Sequence, residues 1–254
     1  LPIWFFFMPD TTFSIPGPSS IETEVGRIRG LLKEGRFDDS AAAASRLIET
    51  VPENRDVLYL LAQSQRQQRR IDDAFATLAQ LERHHPRFAR LYQERGHCYV
   101  AMRDASRAIE NFRRAVSINP TLSASFDMLA GLYRLTGQAE AMTWATREAA
   151  ALKTLPPPVI AATDLFAEGE LVAAEKLVRA FLLSHGDHPE GMRLLARIGL
   201  AQGVPEDAEI LLVAVLERVP DYIAARHDYA CVLLRSEEHT SELQSHSFIS
   251  YAVF

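Results

Sequence analysis

This chain of 254 residues has few cysteines, no long apolar run and no excess of positive charge. Each of these features excludes a class of protein. Its 2 cysteines are too few for a disulfide scaffold. No apolar run approaches the roughly 20 residues that a membrane-spanning helix needs. Asp and Glu (33) outnumber Lys and Arg (27), whereas proteins that bind nucleic acids are usually basic. We therefore expect a cytoplasmic protein that binds neither nucleic acid nor a membrane.

The common catalytic motifs are also missing. The sequence contains no GxxxxGK[ST] phosphate loop, no HExxH, no GxSxG and no CxxC pair. Two histidine pairs, His84 with His85 and His185 with His188, suggest a metal site, but neither has a third convergent ligand in the sequence. Histidines in surface turns are the alternative that we favour. We expect no catalytic residue, no cofactor and no bound metal, so that this chain is not itself an enzyme.

The C-terminal end differs in composition from the middle of the chain. Residues 235–245 (RSEEHTSELQS) and 249–254 (ISYAVF) resemble two constant blocks of a translated sequencing adapter, with room for an index between them. This resemblance implies that residues 235–254 are an adapter-derived tail and that the native sequence continues beyond Leu234. Such segments are left out of fold reasoning.

The N-terminal end also resembles translated adapter sequence. Residues 1–3 (LPI) resemble the translated end of the opposite adapter, and we interpret residues 1–7 as adapter and upstream translation, with Met8 as the native start. Residues 8–20 are rich in Pro, Ser and Thr, which predicts a flexible lead.

A regular spacing of prolines dominates the middle of the chain. Pro52, Pro86 and Pro120 follow one another at equal intervals, and Pro220 ends a later segment of the same kind. The segment 89–122 shows the fullest pattern of large and small residues, with Tyr92, Gly96, Tyr99, Ala108, Phe112, Ala115 and Pro120. This interval, a period of about 34 residues, is typical of repeats made of two antiparallel helices.

These residues resemble the tetratricopeptide repeat (TPR). The resemblance implies an all-α fold, a right-handed superhelical solenoid of antiparallel helix pairs, although another solenoid of helical hairpins is an alternative. It divides residues 21–234 into six repeats and the first helix of a seventh: 21–54, 55–88, 89–122, 123–154, 155–188, 189–222 and 223–234. Without its second helix, the seventh repeat would leave an apolar face uncovered, and this end would allow self-association.

The repeat pattern gives several side chains a structural role. Numbered from 1 to 34, the repeats have small residues at positions 8 and 20, which let the two helices approach, and large ones at 4, 11 and 24, which fill gaps between repeats. Acidic pairs such as Asp38-Asp39 recur at positions 18 and 19, where the second helix begins and its dipole favours a carboxylate. Cys98 at position 10 is expected to pack as a small apolar residue, too far from Cys231 for a disulfide.

The concave face carries the predicted binding site. In this family it is lined by first-helix positions 2, 5, 9 and 12, and the lining here is polar and rich in arginine. Such a lining suits an extended, partly acidic peptide or protein segment, but a solvated face without a ligand would have the same composition. The Lys and Asn clamp of chaperone-adaptor members is not reproduced. The groove candidates are Arg29, Tyr59, Gln63, Arg66, Arg90, Gln93, His97, Asp127, Arg134, Arg193 and Arg197.

A narrower resemblance leads to a second hypothesis. Residues 51–61, 91–101, 107–110 and 225–230 are similar to the N-terminal repeat region of bacterial TPR-containing sulfotransferases. In those proteins the repeats precede a catalytic domain that uses 3′-phosphoadenosine 5′-phosphosulfate, whose phosphate loop has no counterpart here. The chain is therefore either a scaffold for a peptide or protein partner, or a fragment of the arm that positions a partner for such an enzyme.

Overall fold

The computed structural model describes residues 20–235, and this part of the chain is built from α-helices. No strand occurs between these residues, so the predicted all-α fold is confirmed. A further helical segment, α13, covers residues 223–235. The helices before it are α1 (Ser20–Lys33), α2 (Phe37–Thr50), α3 (Arg55–Gln67), α4 (Ile71–His84), α5 (Ala89–Ala101), α6 (Ala105–Ile118), α7 (Ser123–Leu135), α8 (Ala139–Thr154), α9 (Pro157–Ala167), α10 (Leu171–His185), α11 (Pro189–Ala201) and α12 (Pro205–Arg218).

The described residues form two compact units, 20–84 and 85–235. The first contains the hairpins α1–α2 and α3–α4, and the second contains α5–α6, α7–α8, α9–α10 and α11–α12, followed by α13. Each hairpin corresponds to one predicted repeat. The adapter-like ends lie outside the described residues, apart from Arg235. The predicted flexible lead, residues 8–20, also lies outside them except for Ser20, which is the first residue of α1.

Prolines mark the ends of the repeats as the sequence predicts. Pro52, Pro86, Pro120 and Pro220 each come two residues after the end of a second helix. Pro157 is the first residue of α9, where a missing backbone N–H costs nothing. The regular interval between the prolines therefore reflects one helical hairpin and its outgoing turn.

The turn between the two helices of each of the six complete repeats contains one residue with a positive φ angle. Glycine occupies this place in four repeats, with φ between 73° and 86°. Arg69 and Arg103 occupy it in the second and third repeats, at φ 66° and 62°. A side chain at such an angle places its Cβ close to the backbone, which costs roughly 1 kcal/mol. The repeat geometry thus imposes strain at the two arginines.

Replacing Arg103 by glycine is expected to stabilise the 85–235 unit by about 0.5–1 kcal/mol, because it removes this strain at an exposed turn. Urea unfolding followed by circular dichroism would measure the gain. The matched reverse change, Gly137→Arg, places an arginine at φ 73° and should cost a similar amount. A loss of stability in Arg103→Gly would contradict the assignment of strain to this position.

Small residues let the helices of a hairpin approach, as predicted. A Cβ added at Gly96 in α5 would lie 2.9 Å from Cζ of Phe112 in α6. Phe112 therefore fills space within its own repeat, in addition to the predicted gap between repeats, where it packs with Leu129 of α7. At position 20 alanine is fully buried wherever it occurs: Ala74, Ala108, Ala174 and Ala208.

Other structural predictions are confirmed. Asp38 and Asp39 lie in the first turn of α2, and equivalent acidic pairs open α4 and α12. Cys98 is fully buried. His185 stacks on Phe181 with ring centroids 4.6 Å apart, while His188 meets the same ring edge-on at 5.4 Å. These two histidines therefore have a packing role at the turn between α10 and α11.

Helix α13 is packed on one face. Ala225 and Val232 are buried in the cluster of α11 and α12, whereas Ile223 and Leu234 are 79% and 63% exposed. Ala230 is also exposed, although the equivalent residues of most other repeats are buried. This pattern is what a first helix shows when its second helix is not packed against it; self-association through this face stays a prediction.

Candidate functional site: a cleft between α5 and α9

A cleft of about 390 Å³ opens on the surface of the 85–235 unit. It lies between α5, the turn from α6 to α7, and α9. Its walls combine apolar groups with amide, hydroxyl and charged groups. The lining residues are Arg90, Gln93, Thr121, Leu122, Ser123, Ala124, Pro157, Ile160, Ala161 and Asp164.

A hydrogen-bond network around Asp164 forms one part of the cleft. Arg90 Nη2 donates to Asp164 Oδ2 at 2.8 Å, and Arg90 Nε lies 3.7 Å from Glu168 Oε1. Asn119, which is only 1% exposed, donates from Nδ2 to the other Asp164 oxygen. Asn119 Oδ1 in turn accepts from the backbone N–H and the hydroxyl of Thr121, at 3.0 and 2.7 Å. Asp164 thus ties α9 to α5 and to the turn before α7.

Local sequence explains why α9 can reach this network. Only Leu155 and Pro156 connect α8 to α9, because the fourth repeat is two residues short and α8 extends to 16 residues. Asp164 is the one charged residue within α9. A carboxylate with this burial is stable only when donors surround it. Arg90 and the Asn119 amide supply these donors from two other segments.

The groove candidates of the 20–84 unit lie on α1 and α3. Arg29 is exposed, and Arg66 is half-buried. Gln63 Nε2 donates to the Tyr59 hydroxyl at 3.0 Å, so these two predicted residues contact each other. The structure therefore brings together one pair of the candidates in this unit.

In the 85–235 unit, Arg90 and Gln93 both line the cleft, as the predicted groove positions require. His97 packs edge-on against Phe112, with ring centroids 5.0 Å apart, and so supports the hairpin as well. Asp127 and Arg134 on α7 are both exposed. Arg90 and Gln93 of α5 thus meet at one site, whereas His97 packs within its hairpin and the candidates of α7 are exposed.

Arg193 in α11 is held by an ion-pair cluster. Its Nε donates to Asp228 Oδ2 at 2.7 Å, and its Nη1 donates to Glu190 Oε1 at 2.8 Å. The Arg193 Cζ lies 5.6 Å from the centroid of the Tyr222 ring. Both side chains of the Arg193–Asp228 pair are only 16% exposed. The charge that was expected to meet a ligand is therefore balanced inside the unit.

Arg197, one turn further along α11, has a different environment. Its Cζ lies 4.9 Å from the centroid of the Phe166 ring in α9. Within residues 20–235 its guanidinium donates no hydrogen bond. Burial and the neighbouring charge of Arg193 lower its pKa, and the attraction of Asp228 and Glu190 only partly offsets this.

The groove pattern missed the contribution of α9. Ile160, Ala161 and Asp164 line the cleft, although family positions 2, 5, 9 and 12 do not select them. Position 5 of this repeat is Val159, which is fully buried and cannot line the cleft. The short fourth repeat and the lone charge at Asp164 are the sequence signals that point to this difference.

The fold defines a class of protein built from repeated antiparallel helical hairpins. Sequence models described as tetratricopeptide repeat match residues 25–87, 89–122 and 161–223, which together exceed half of the chain. The chain belongs to the tetratricopeptide-repeat family, whose fold is of the protein-interaction type. No curated protein matches this sequence significantly.

Several solved structures have similar folds. The PilF protein of Pseudomonas aeruginosa is 16% identical and has a TM-score of 0.49, with 83% of this chain and 96% of that chain covered. TTC0263, a TPR protein of Thermus thermophilus, is 21% identical with a TM-score of 0.43, covering 85% and 100%. A chain of Naa15/Naa10 bound to HypK-THB is 16% identical with a TM-score of 0.48, covering 92% and 36%.

Two further properties concern the described part of the chain alone. No helix between residues 20 and 235 combines the length and the apolar character needed to cross a bilayer. The same residues contain no cluster of three His, Cys, Asp or Glu side chains with the spacing of a metal site.

Proposed function

We propose that the chain is a protein-interaction scaffold that binds an extended segment of a partner protein in the cleft between α5 and α9. The observation that carries this proposal is the mixed lining of the cleft. Leu122, Pro157, Ile160 and Ala161 offer an apolar surface of a size suited to one or two side chains.

The polar groups of the cleft suit a peptide backbone. The Gln93 amide and the Ser123 hydroxyl have no side-chain partner among residues 20–235, so each can bond to a peptide N–H or C=O. Arg90 and Asp164 neutralise each other, and the cleft therefore carries polar groups at little net charge. An extended segment supplies the alternating side chains and backbone groups that such a surface needs.

The test is a selection of peptides on the whole chain. A random dodecapeptide library displayed on phage is panned against the purified protein, and the strongest peptide is synthesised and titrated by fluorescence anisotropy. Ile160→Arg places a long charged side chain in the cleft and should weaken binding by at least tenfold, since it removes apolar contact and buries a charge.

A matched control keeps this test specific. Val172 in α10 is 78% exposed and lies outside the cleft, so Val172→Arg makes the same chemical change elsewhere and should leave binding unaltered. Thermal unfolding would show that both variants are folded. Failure to enrich any peptide, or equal binding to Ile160→Arg and the parent chain, would refute the proposal.

The sulfotransferase-arm hypothesis stays a prediction from sequence. The residues that carry it, such as 51–61 and 91–101, form α3, α5 and the turns next to them, where they make repeat contacts. Reading the source gene past the codon for Leu234 tests it: an α/β domain with a phosphate loop would support it, and an early stop codon would exclude it.

A further inference from the structure

Two arginines lie one turn apart on α11, and among residues 20–235 only Arg193 has side-chain acceptors. Arg193 takes both nearby carboxylates, Asp228 at 2.7 Å and Glu190 at 2.8 Å. Arg197 makes no hydrogen bond or ion pair within residues 20–235, and its guanidinium lies over the Phe166 ring. Its guanidinium is therefore oriented by an aromatic platform but lacks an acceptor.

The electrostatic balance at Arg197 favours an added negative charge. Burial removes water from the guanidinium and Arg193 repels it, and together these effects lower its pKa in spite of Asp228 and Glu190. The lowered pKa of Arg197 means that its surroundings, taken together, destabilise the charged guanidinium. Arginine nevertheless stays protonated, because the guanidinium is a very strong base that is not deprotonated in proteins. An incoming anion would relieve this unfavourable balance, whereas a neutral carbonyl would relieve less of it.

The geometry at Arg197 matches a carboxylate. The planar guanidinium presents parallel N–H groups that bind two carboxylate oxygens at once. The contact with Phe166 holds that plane before any ligand arrives, which reduces the entropy lost on binding.

Helix α9 links this arginine to the cleft. It contributes Ile160 to the cleft wall and Phe166 to the platform of Arg197. Six residues along a helix correspond to roughly 9 Å of rise. A dodecapeptide in an extended conformation is several times longer than this rise, so its length is sufficient to contact both places.

We propose that Arg197, on its Phe166 platform, binds a carboxylate of the partner segment that the cleft holds; this inference rests on the function proposed above. The carboxylate belongs to an Asp or Glu side chain or to the C-terminus of the segment. Arg197 therefore selects acidic segments, and Arg193 maintains the fold around it.

The experiment uses the strongest peptide from the selection, together with Glu→Gln and Asp→Asn versions and a C-terminally amidated version. Each is titrated against the parent chain, Arg197→Gln and Arg197→Lys. Loss of the critical carboxylate should weaken binding to the parent about tenfold, but change binding to Arg197→Gln by less than twofold. Arg197→Lys should keep only part of the affinity, because it lacks the planar fork. The peptide version that loses affinity shows whether the carboxylate comes from an Asp or Glu side chain or from the C-terminus.

Arg147→Gln is the matched control, since Arg147 lies on α8 outside the cleft and outside the predicted groove, its side chain is 75% exposed, and its loss should alter binding less than twofold. The inference is overturned if carboxylate removal weakens binding equally for the parent and for Arg197→Gln. If that result is found but the selected peptides bind the parent chain and Ile160→Arg blocks them, the scaffold proposal stands without the Arg197 inference. If no peptide binds the parent chain, the scaffold proposal itself fails.

A second measurement needs no peptide. Arg197→Met keeps an apolar chain on Phe166 and removes a half-buried cation that has no acceptor, so the Tm should rise by about 2–4 °C. A fall in Tm would show that the guanidinium supports the fold, and would overturn its assignment as a binding group.

Discussion

Replacing Phe112 by alanine is expected to lower the free energy of unfolding of the 85–235 unit by about 3–5 kcal/mol. Phe112 is fully buried and packs against Gly96 of its own hairpin. It also contacts the apolar cluster that includes Leu129 of the next repeat. The alanine would leave a cavity at the contact between two hairpins, and each hairpin buries its apolar face only against neighbours. Urea unfolding followed by circular dichroism would measure the loss.

The control and a compensating change make this prediction specific. Leu183 in α10 is 90% exposed, and Leu183→Ala should change stability by less than about 0.5 kcal/mol. Gly96→Ala alone should destabilise, because its Cβ would lie within 3.0 Å of the Phe112 ring. Combined with Phe112→Leu, which shortens that ring to a smaller side chain, Gly96→Ala should cost less than it does alone. Additive effects of the two changes would contradict the proposed contact.

Local sequence rules were sufficient for the helices. Proline spacing located the ends of α2, α4, α6 and α12, and the acidic pairs located the starts of α2, α4 and α12. These features follow from interactions between residues a few positions apart, such as the capping of a helix or the absence of an N–H at proline. The repeat period then applies the same local rules again in each hairpin, so the hairpins could be predicted with their bounds.

The partners of the charged groove residues could not be predicted in the same way. Arg90 meets Asp164, which lies 74 positions later, and Arg193 meets Asp228, 35 positions later. Each pair depends on the placement of two different repeats. The family pattern selected both arginines as lining residues but contained no information on whether an internal carboxylate reaches them.

Helix α9 shows why the pattern failed for one repeat. Periodic numbering assumes that each first helix presents the same face, but α9 follows a connection of only two residues, Leu155 and Pro156. Val159, at a predicted groove position, is buried, and Asp164 lines the cleft. In the repeat that follows the shortened one, the candidate site therefore uses side chains that the repeat numbering does not select.

The contrast between Arg193 and Arg197 predicts different roles for two arginines on one helix. Removing a polar group that binds a ligand but has no partner in the fold should lower ligand affinity and raise stability, because an unsatisfied polar group costs folding free energy. Arg193 satisfies two carboxylates, so its removal should damage the fold. Arg197 satisfies none within residues 20–235, so its removal should damage binding.

Arg193→Met is expected to destabilise the 85–235 unit by about 2–3 kcal/mol, somewhat less than a fully buried pair would lose. It leaves Asp228 and Glu190 without their cation, in a place where Asp228 is only 16% exposed. Asp228 lies on α13, so hydrogen exchange in residues 223–235 should rise with the loss of stability.

Arg226→Met is the matched control for this change, since its ion pair with Asp221 at 3.2 Å is largely exposed and should contribute less than about 0.5 kcal/mol. Adding Asp228→Asn to Arg193→Met should recover part of the stability, because it removes the uncompensated carboxylate. Equal losses in Arg193→Met and Arg226→Met would mean that the cluster does not anchor α13. The same result would also remove the reason for treating Arg193 and Arg197 as groups with different roles.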